Sequence, residues 1–196
     1  MAKRTAEQAE ETRAALIKAG VQLFGADGYK QTSLAAISKV AGTTKGALFH
    51  HFANKEELFH AVWAQVQLEM DSKAREAAIL ARSPTDPYAA FLAGCRTYLE
   101  WAGRSGFQQI VLFDGPSVLG AAGWYEQDNA LGHKNVLSGV AFLSKKGLIA
   151  EHRVKSMTLL LQNALNGAGF ALSRQAEGVT TDTLMESFEI LLRNAR

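Results

Sequence analysis

Apolar residues along this chain fall at intervals of three and four, the spacing that lines one face of an α-helix, and no stretch alternates as a strand would. Leu16, Ala19, Leu23 and Phe24 set out a first helix, with Gly25 and Gly28 as its expected end. Thr32 and Ser33 are helix-capping types ahead of a short apolar set, Leu34, Ile37 and Val40, which Ala41-Gly42 breaks. Thr43 and Thr44 offer a fresh cap for a second short helix carrying Leu48, Phe49 and Phe52. Asn54, with Glu57 at the third helical position, opens a longer helix through Leu58, Val62 and Val66.

Ser83-Pro84-Thr85-Asp86-Pro87 is the clearest break, and Asp86 with Pro87 suits the start of a helix running to Gly103. Asp114-Gly115-Pro116 reads as a turn. A long helical stretch is predicted over 117–145, ending at Gly147, with two more over 152–173 and 181–195. The pattern is all-α throughout.

Composition adds little to that picture except where it excludes. In 196 residues, 47% are hydrophobic and 20% charged, enough for a real core. The single cysteine, Cys95, permits no intramolecular disulfide and suits a reducing, cytoplasmic setting. Lys3 and Arg4 are followed by Glu7, Glu10 and Glu11 rather than by the apolar run of a signal peptide, and no stretch has the length of a membrane span.

The net charge of +2 is unevenly placed. Residues 61–196 are neutral, and residues 1–60 hold the whole excess. The window 28–55 contains Lys30, Lys39, Lys45 and Lys55 and no acid, which makes it either a face for a polyanion or an ordinary solvated surface.

Two short helices joined by a turn holding Gly42 form a helix-turn-helix. The second is too short to be stable alone and must be pinned by Leu48 and Phe52, leaving its other face free. Thr43, Thr44, Lys45 and Gly46 lie at its N-terminal end, the end that enters the major groove in such motifs.

The run TSLAAISKVAGTTKGALFHHFANKEELFHAV, residues 32–62, resembles the DNA-binding domain of the TetR family of bacterial transcriptional regulators. The features that carry the resemblance are the hydroxyl pair before the first short helix, the Ala-Gly turn, the Lys-Gly of the recognition helix, the aromatic-x-His-Phe run and the Asn-Lys-Glu-x-Leu-Phe opening of the next helix. It implies base and phosphate contacts at Thr43, Thr44, Lys45 and Gly46, packing on the DNA backbone at His50 and His51, and phosphate binding at Lys55, Thr32 and Ser33. Phe49 stands where most members carry tyrosine, so one phosphate contact is missing there.

The resemblance further implies an N-terminal three-helix DNA-binding domain, residues 1–53, and a helical effector-binding and dimerisation domain, residues 54–196, about nine helices in all. Stripes on the last two helices supply an expected homodimer interface: Leu161, Leu165 and Ala168 on one, Leu184, Phe188 and Leu191 on the other. Monomer core is the alternative reading of the same stripes, and the resemblance favours the dimer. Trp101, Phe107, Phe113, Trp124 and Asn163 are candidates to line a cavity for an unknown small-molecule effector, although each also suits a core. LFDGPSVLG followed by Trp124 is similar to a run in some effector domains of the family.

Other chemistry finds less support. His50 and His51 are neighbours on a helix and diverge by about 100°, which does not suit one metal ion. A helical small-molecule enzyme is the alternative class, but no nucleophile motif, paired carboxylates or phosphate loop is present. No cofactor is expected. The resulting expectation is a ligand-responsive repressor that binds a double-stranded operator.

Overall fold

The computed structural model describes residues 2–194, with the side chains of residues 6–120, 122–124, 126 and 133–194. The helices are α1 (Ala2–Gln31), α2 (Leu34–Val40), α3 (Lys45–His51), α4 (Lys55–Leu80), α5 (Ala89–Ala102), α6 (Ser105–Phe107), α7 (Gly115–Val118), α8 (Ala121–Lys145), α9 (Val154–Ser173) and α10 (Thr181–Arg193). A π-helical segment, Gln108–Asp114, joins α6 to α7, and a 3₁₀ turn, Glu151–Arg153, precedes α9. No strand occurs among the described residues. None of their helices is long and apolar enough to cross a membrane.

The chain divides into two compact units. The first comprises residues 1–67 and 105–121, the second 68–104 and 122–196. In the first, α1 packs on α2, on α3 and on the segment formed by α6 and the π-helix. Its core holds Leu16, Phe24, Ile37, Leu48, Leu58, Phe59, Val62 and Trp63, all fully buried. Phe24, Tyr29 and Phe59 form an aromatic cluster, with Phe59 edge-on to Phe24 at 5.3 Å and to Tyr29 at 5.1 Å. A Cβ on Gly25 would stand 3.3 Å from the Gly106 Cα, so α1 and α6 meet backbone to backbone.

Three local expectations are corrected here. Gly25 does not end α1, which continues to Gln31 and bends at Gly28, whose φ of 78° suits glycine alone. Asp114-Gly115-Pro116 is not a turn. Pro116 lies in the first turn of α7, where its missing N–H costs no helical bond. The break falls later, at Gly120, where φ is +72°, so the long helix begins at Ala121 rather than 117.

The second unit is built on α5, α8, α9 and α10. Its core contains Leu99, Val140, Leu143, Leu161, Leu165, Met185, Phe188 and Leu192. Thr180 caps α10 reciprocally with Thr183. Arg193 closes the far end, its guanidinium 2.7 Å from Asp86 Oδ2 and stacked over the Tyr88 ring.

The expected dimer stripe divides in this unit. Leu161, Leu165 and Phe188 are 5–6% exposed and belong to its core, with Ala168 and Leu184 packed against them. Leu191 is 64% exposed and does not share that face. At about 100° per residue Leu191 lies well round the helix from the buried Leu192. On α9 and α10 themselves, Leu159, Leu160, Ile190 and Leu191 are exposed.

Candidate nucleic-acid interface

Helices α2 and α3 are each seven residues long, too short to persist alone. Ile37, Leu48 and Phe52 pin them, being 0%, 0% and 2% exposed. Between them the backbone turns through Gly42 at φ +65°, with the Thr43 N–H donating to Ser38 O at 2.9 Å. Both helices begin with a hydroxyl cap. Ser33 Oγ accepts the Ala36 N–H, and Thr44 Oγ1 accepts the Ala47 N–H, each at 3.1 Å. A capping hydroxyl uses its oxygen as acceptor and keeps its hydrogen, which can be donated outward to a phosphate oxygen.

The free face of α3 carries Lys45, Gly46, Phe49 and His50, all exposed, with Thr44 at its head. The Lys45 ammonium lies 5.7 Å from the Phe49 ring centroid. Phe49, 45% exposed, is therefore not an anchor beside Leu48 and Phe52 but part of the outer face. The His50 and His51 rings meet edge to face at 5.4 Å. Gly46 has no atom but the Thr44 hydroxyl near the place of a Cβ, so the backbone there is open to close approach.

Of the expected contacts, Thr32 is turned inward and Lys55 is partly covered. Thr32 is 4% exposed, and its hydroxyl is shared between Gly28 O at 2.8 Å and Leu23 O at 3.2 Å. That hydroxyl fastens the end of α1. Lys55 lies over the Tyr29 ring at 4.3 Å and donates to Lys30 O at 3.4 Å. Burial lowers the pKa of its ammonium, and Asp114 partly offsets that. Asn54 Oδ1 accepts the Glu57 N–H and Glu57 accepts the Ala53 N–H, so the start of α4 is capped in both directions as the sequence predicts.

Sequence reasoning missed the support beneath this motif. Asp114 Oδ2 accepts the Tyr29 N–H at 2.7 Å and Gln109 Nε2 at 2.9 Å. Its residues lie far apart in the chain, and its only local signal, Phe-Asp-Gly-Pro, suggests a turn.

The cavity candidates are divided between the two units. Phe107 is buried and Phe113 exposed in the first unit, while Trp101, Trp124 and Asn163 belong to the second. Asn163 is exposed and donates to Leu159 O on its own helix. Trp101 lies with Thr97, Ala77 and Leu80 in an open groove of about 330 Å³, with Arg104 stacked on its ring.

Residues 16–62 match the family described as bacterial regulatory proteins, tetR family, and residues 88–195 match the tetracyclin repressor-like C-terminal domain. A crystal structure of a TetR-family transcriptional regulator from Pectobacterium atrosepticum is 31% identical, with 96% of each chain covered and a TM-score of 0.75. The HTH-type transcriptional regulator AcrR of Shigella flexneri is 36% identical over 80 residues, which cover 37% of either chain. TtgR of Pseudomonas putida, another HTH-type transcriptional regulator, is 43% identical over 75 residues, 38% of this chain and 36% of its own. These matches span little more than a third of each curated relative. The fatty acid degradation regulator FadR of Bacillus halodurans shares the fold at 16% identity, with a TM-score of 0.73 over 92% of this chain. The relatives are regulators of transcription and not enzymes. With both of its parts matched, the chain belongs to the TetR family of bacterial transcriptional regulators.

Proposed function

We propose that the protein is a dimeric repressor that holds a double-stranded operator through α3 and is released by a small amphipathic effector bound in its second unit. The observation that carries the DNA part is the outer face of α3: Thr44, Lys45, Gly46 and His50 exposed together within a window, 28–55, that contains no acid. In this reading Lys45 and Thr43 read base edges, while Ser33, Thr44, His50 and His51 hold the phosphate backbone. Lys55 is a phosphate contact as well, since an ammonium has three N–H donors and Lys30 O takes one. Thr32 positions the motif rather than touching DNA.

A two-fold dimer places two copies of α3 at successive major grooves, about 34 Å apart. The apolar surface at Leu159, Leu160, Ile190 and Leu191 supports such an interface better than the buried stripe does. An effector that binds better to a dimer with the wrong spacing lowers operator occupancy by mass action.

A gel shift against the DNA beside the protein's own gene, repeated at rising salt, tests the reading. Each phosphate neutralised by a lysine releases counterions, so affinity should drop at least about tenfold between about 50 and about 200 mM salt. A flat affinity over that range rules out the phosphate contacts.

A further inference from the structure

Along α9, Gln162, Asn166 and Phe170 follow at four-residue spacing and so share a face. Each is met by a side chain from another helix of the same unit. Gln162 Oε1 lies 3.2 Å from His133 Nδ1 of α8. Asn166 Oδ1 accepts the Tyr98 hydroxyl of α5 at 3.0 Å. The Phe170 ring is tilted against Trp124 of α8, with centroids 6.3 Å apart. The three pairs make a ladder with unlike ends, an amide and imidazole at one and two aromatic rings at the other.

The amide end is under-satisfied. Gln162 is 4% exposed, and its Nε2 has no hydrogen-bond partner among the described residues. A buried amide nitrogen without an acceptor lowers stability, whereas an apolar side chain of similar length would not. Leu161 and Leu165 supply the apolar packing beside it on α9, so filling the core does not require the amide.

Resting on the reading of this unit as the effector-binding part, we propose that the ladder from Gln162 to Phe170 is the ligand site. Its ligand is an amphipathic molecule with an acceptor oxygen, carbonyl or carboxylate, at one end and a flat apolar body at the other. Gln162 Nε2 donates to the oxygen, and Trp124 and Phe170 hold the body. Gln162 and Phe170 are about two turns apart, so the ligand reaches on the order of 12 Å from head to tail. With His133 donating its Nδ1 hydrogen to Gln162 Oε1, the amide nitrogen faces the ligand, and an ammonium head would set its own hydrogens against it.

The experiment is calorimetric titration of the full chain with three matched probes, 4-butylbenzoate, 4-butylacetophenone and 4-butylbenzylamine. At least one acceptor probe should bind and the amine should not, and the comparison of benzoate with ketone tells which head is preferred. Gln162→Met should weaken the acceptor probes about tenfold, the loss of one hydrogen bond, while raising the melting temperature. Gln162→Glu, which offers acceptors only, should shift the preference to the amine, and it decides the matter if the methionine variant fails to fold. Equal binding of amine and benzoate, or unchanged binding in Gln162→Met, overturns the proposal. A gel shift in parallel separates the two readings. If no probe binds while operator DNA does, the ladder falls and the DNA-binding regulator stands. If benzoate binds through Gln162 and operator affinity does not change, the ladder stands and its role as the effector site falls.

Discussion

The Asp114 carboxylate accepts the Tyr29 backbone N–H at 2.7 Å, across 85 residues of chain. Tyr29 follows the bend at Gly28 and precedes Ser33, the cap of α2. Asp114 therefore fixes the direction in which the chain leaves α1 and enters the helix-turn-helix. Asp114→Ala leaves that N–H unpaired in a part-buried place and should cost about 1–3 kcal/mol of stability. Asp114→Asn keeps an acceptor and should cost less. Denaturant unfolding gives both values, and an alanine variant as stable as the parent would show the contact to be incidental.

The cap of α3 and the proposed phosphate contact share one oxygen, that of Thr44. Thr44→Ala should lose about 0.5–2 kcal/mol with the cap. Thr44→Asp restores the cap but points a carboxylate at the phosphates, so it should keep stability near that of the parent and lose operator binding. If the aspartate variant still binds the operator normally, Thr44 is a cap and nothing more.

Leu191 and Phe188 are neighbours on α10 with opposite exposures, 64% and 6%. Phe188→Ala should cost about 3–5 kcal/mol by opening the core. Leu191→Glu should change the stability of a single protomer by no more than about 0.5 kcal/mol, a surface effect. Its expected consequence is a halved mass in sedimentation and a lost gel shift. A glutamate variant that remains dimeric moves the interface off this face.

Asp71 is buried beside Asn135, which donates to it, and Arg75 stands 3.1 Å away. Burial raises its pKa above the ordinary value of 3.8, more than Arg75 lowers it. The folded state thus holds the proton more tightly than the unfolded chain. The resulting stability is complete below 3.8 and is lost as pH rises through the raised value, leaving the ionised form a net cost at neutral pH. Asp71→Asn should therefore melt at a higher temperature than the parent at neutral pH, with the gap closing toward acid. A gap independent of pH would tie the effect to packing instead.

Burial pushes the Cys95 thiol up to about 12. It should resist a disulfide reagent at mildly alkaline pH in the folded protein and react fully in denaturant. Fast reaction in the folded state would mean that this part of α5 opens readily.

Local chemistry made the helix-turn-helix legible. Ser33, Thr44 and Asn54 are caps whose bonds lie within a few residues, and all three form. The glycines were harder to interpret. Gly25 looks like a terminator in sequence, but it serves a close approach to Gly106, a distant partner. Thr32 shows the same limit, since only the fold reveals that α1 carbonyls occupy its hydroxyl. On α9 and α10 the period was right, and the stripe holds buried core residues together with the exposed Leu191. A wide apolar stripe contains both a core side and a partner side, and hydrophobicity alone does not say where one ends.

The π-helical stretch, residues 108–114, has a consequence of phase. A π turn accommodates one residue more than an α turn, so this segment behaves as an α-helix that has absorbed an insertion. Deleting one residue ahead of Asp114 would let the backbone relax to α geometry while the helix on either side kept its bearing. Asp114 would still arrive beside Tyr29, and the change would fall on the carbonyl groups and side chains inside the segment. The extra residue is slack taken up within one turn, carried without disturbing what lies before or after it.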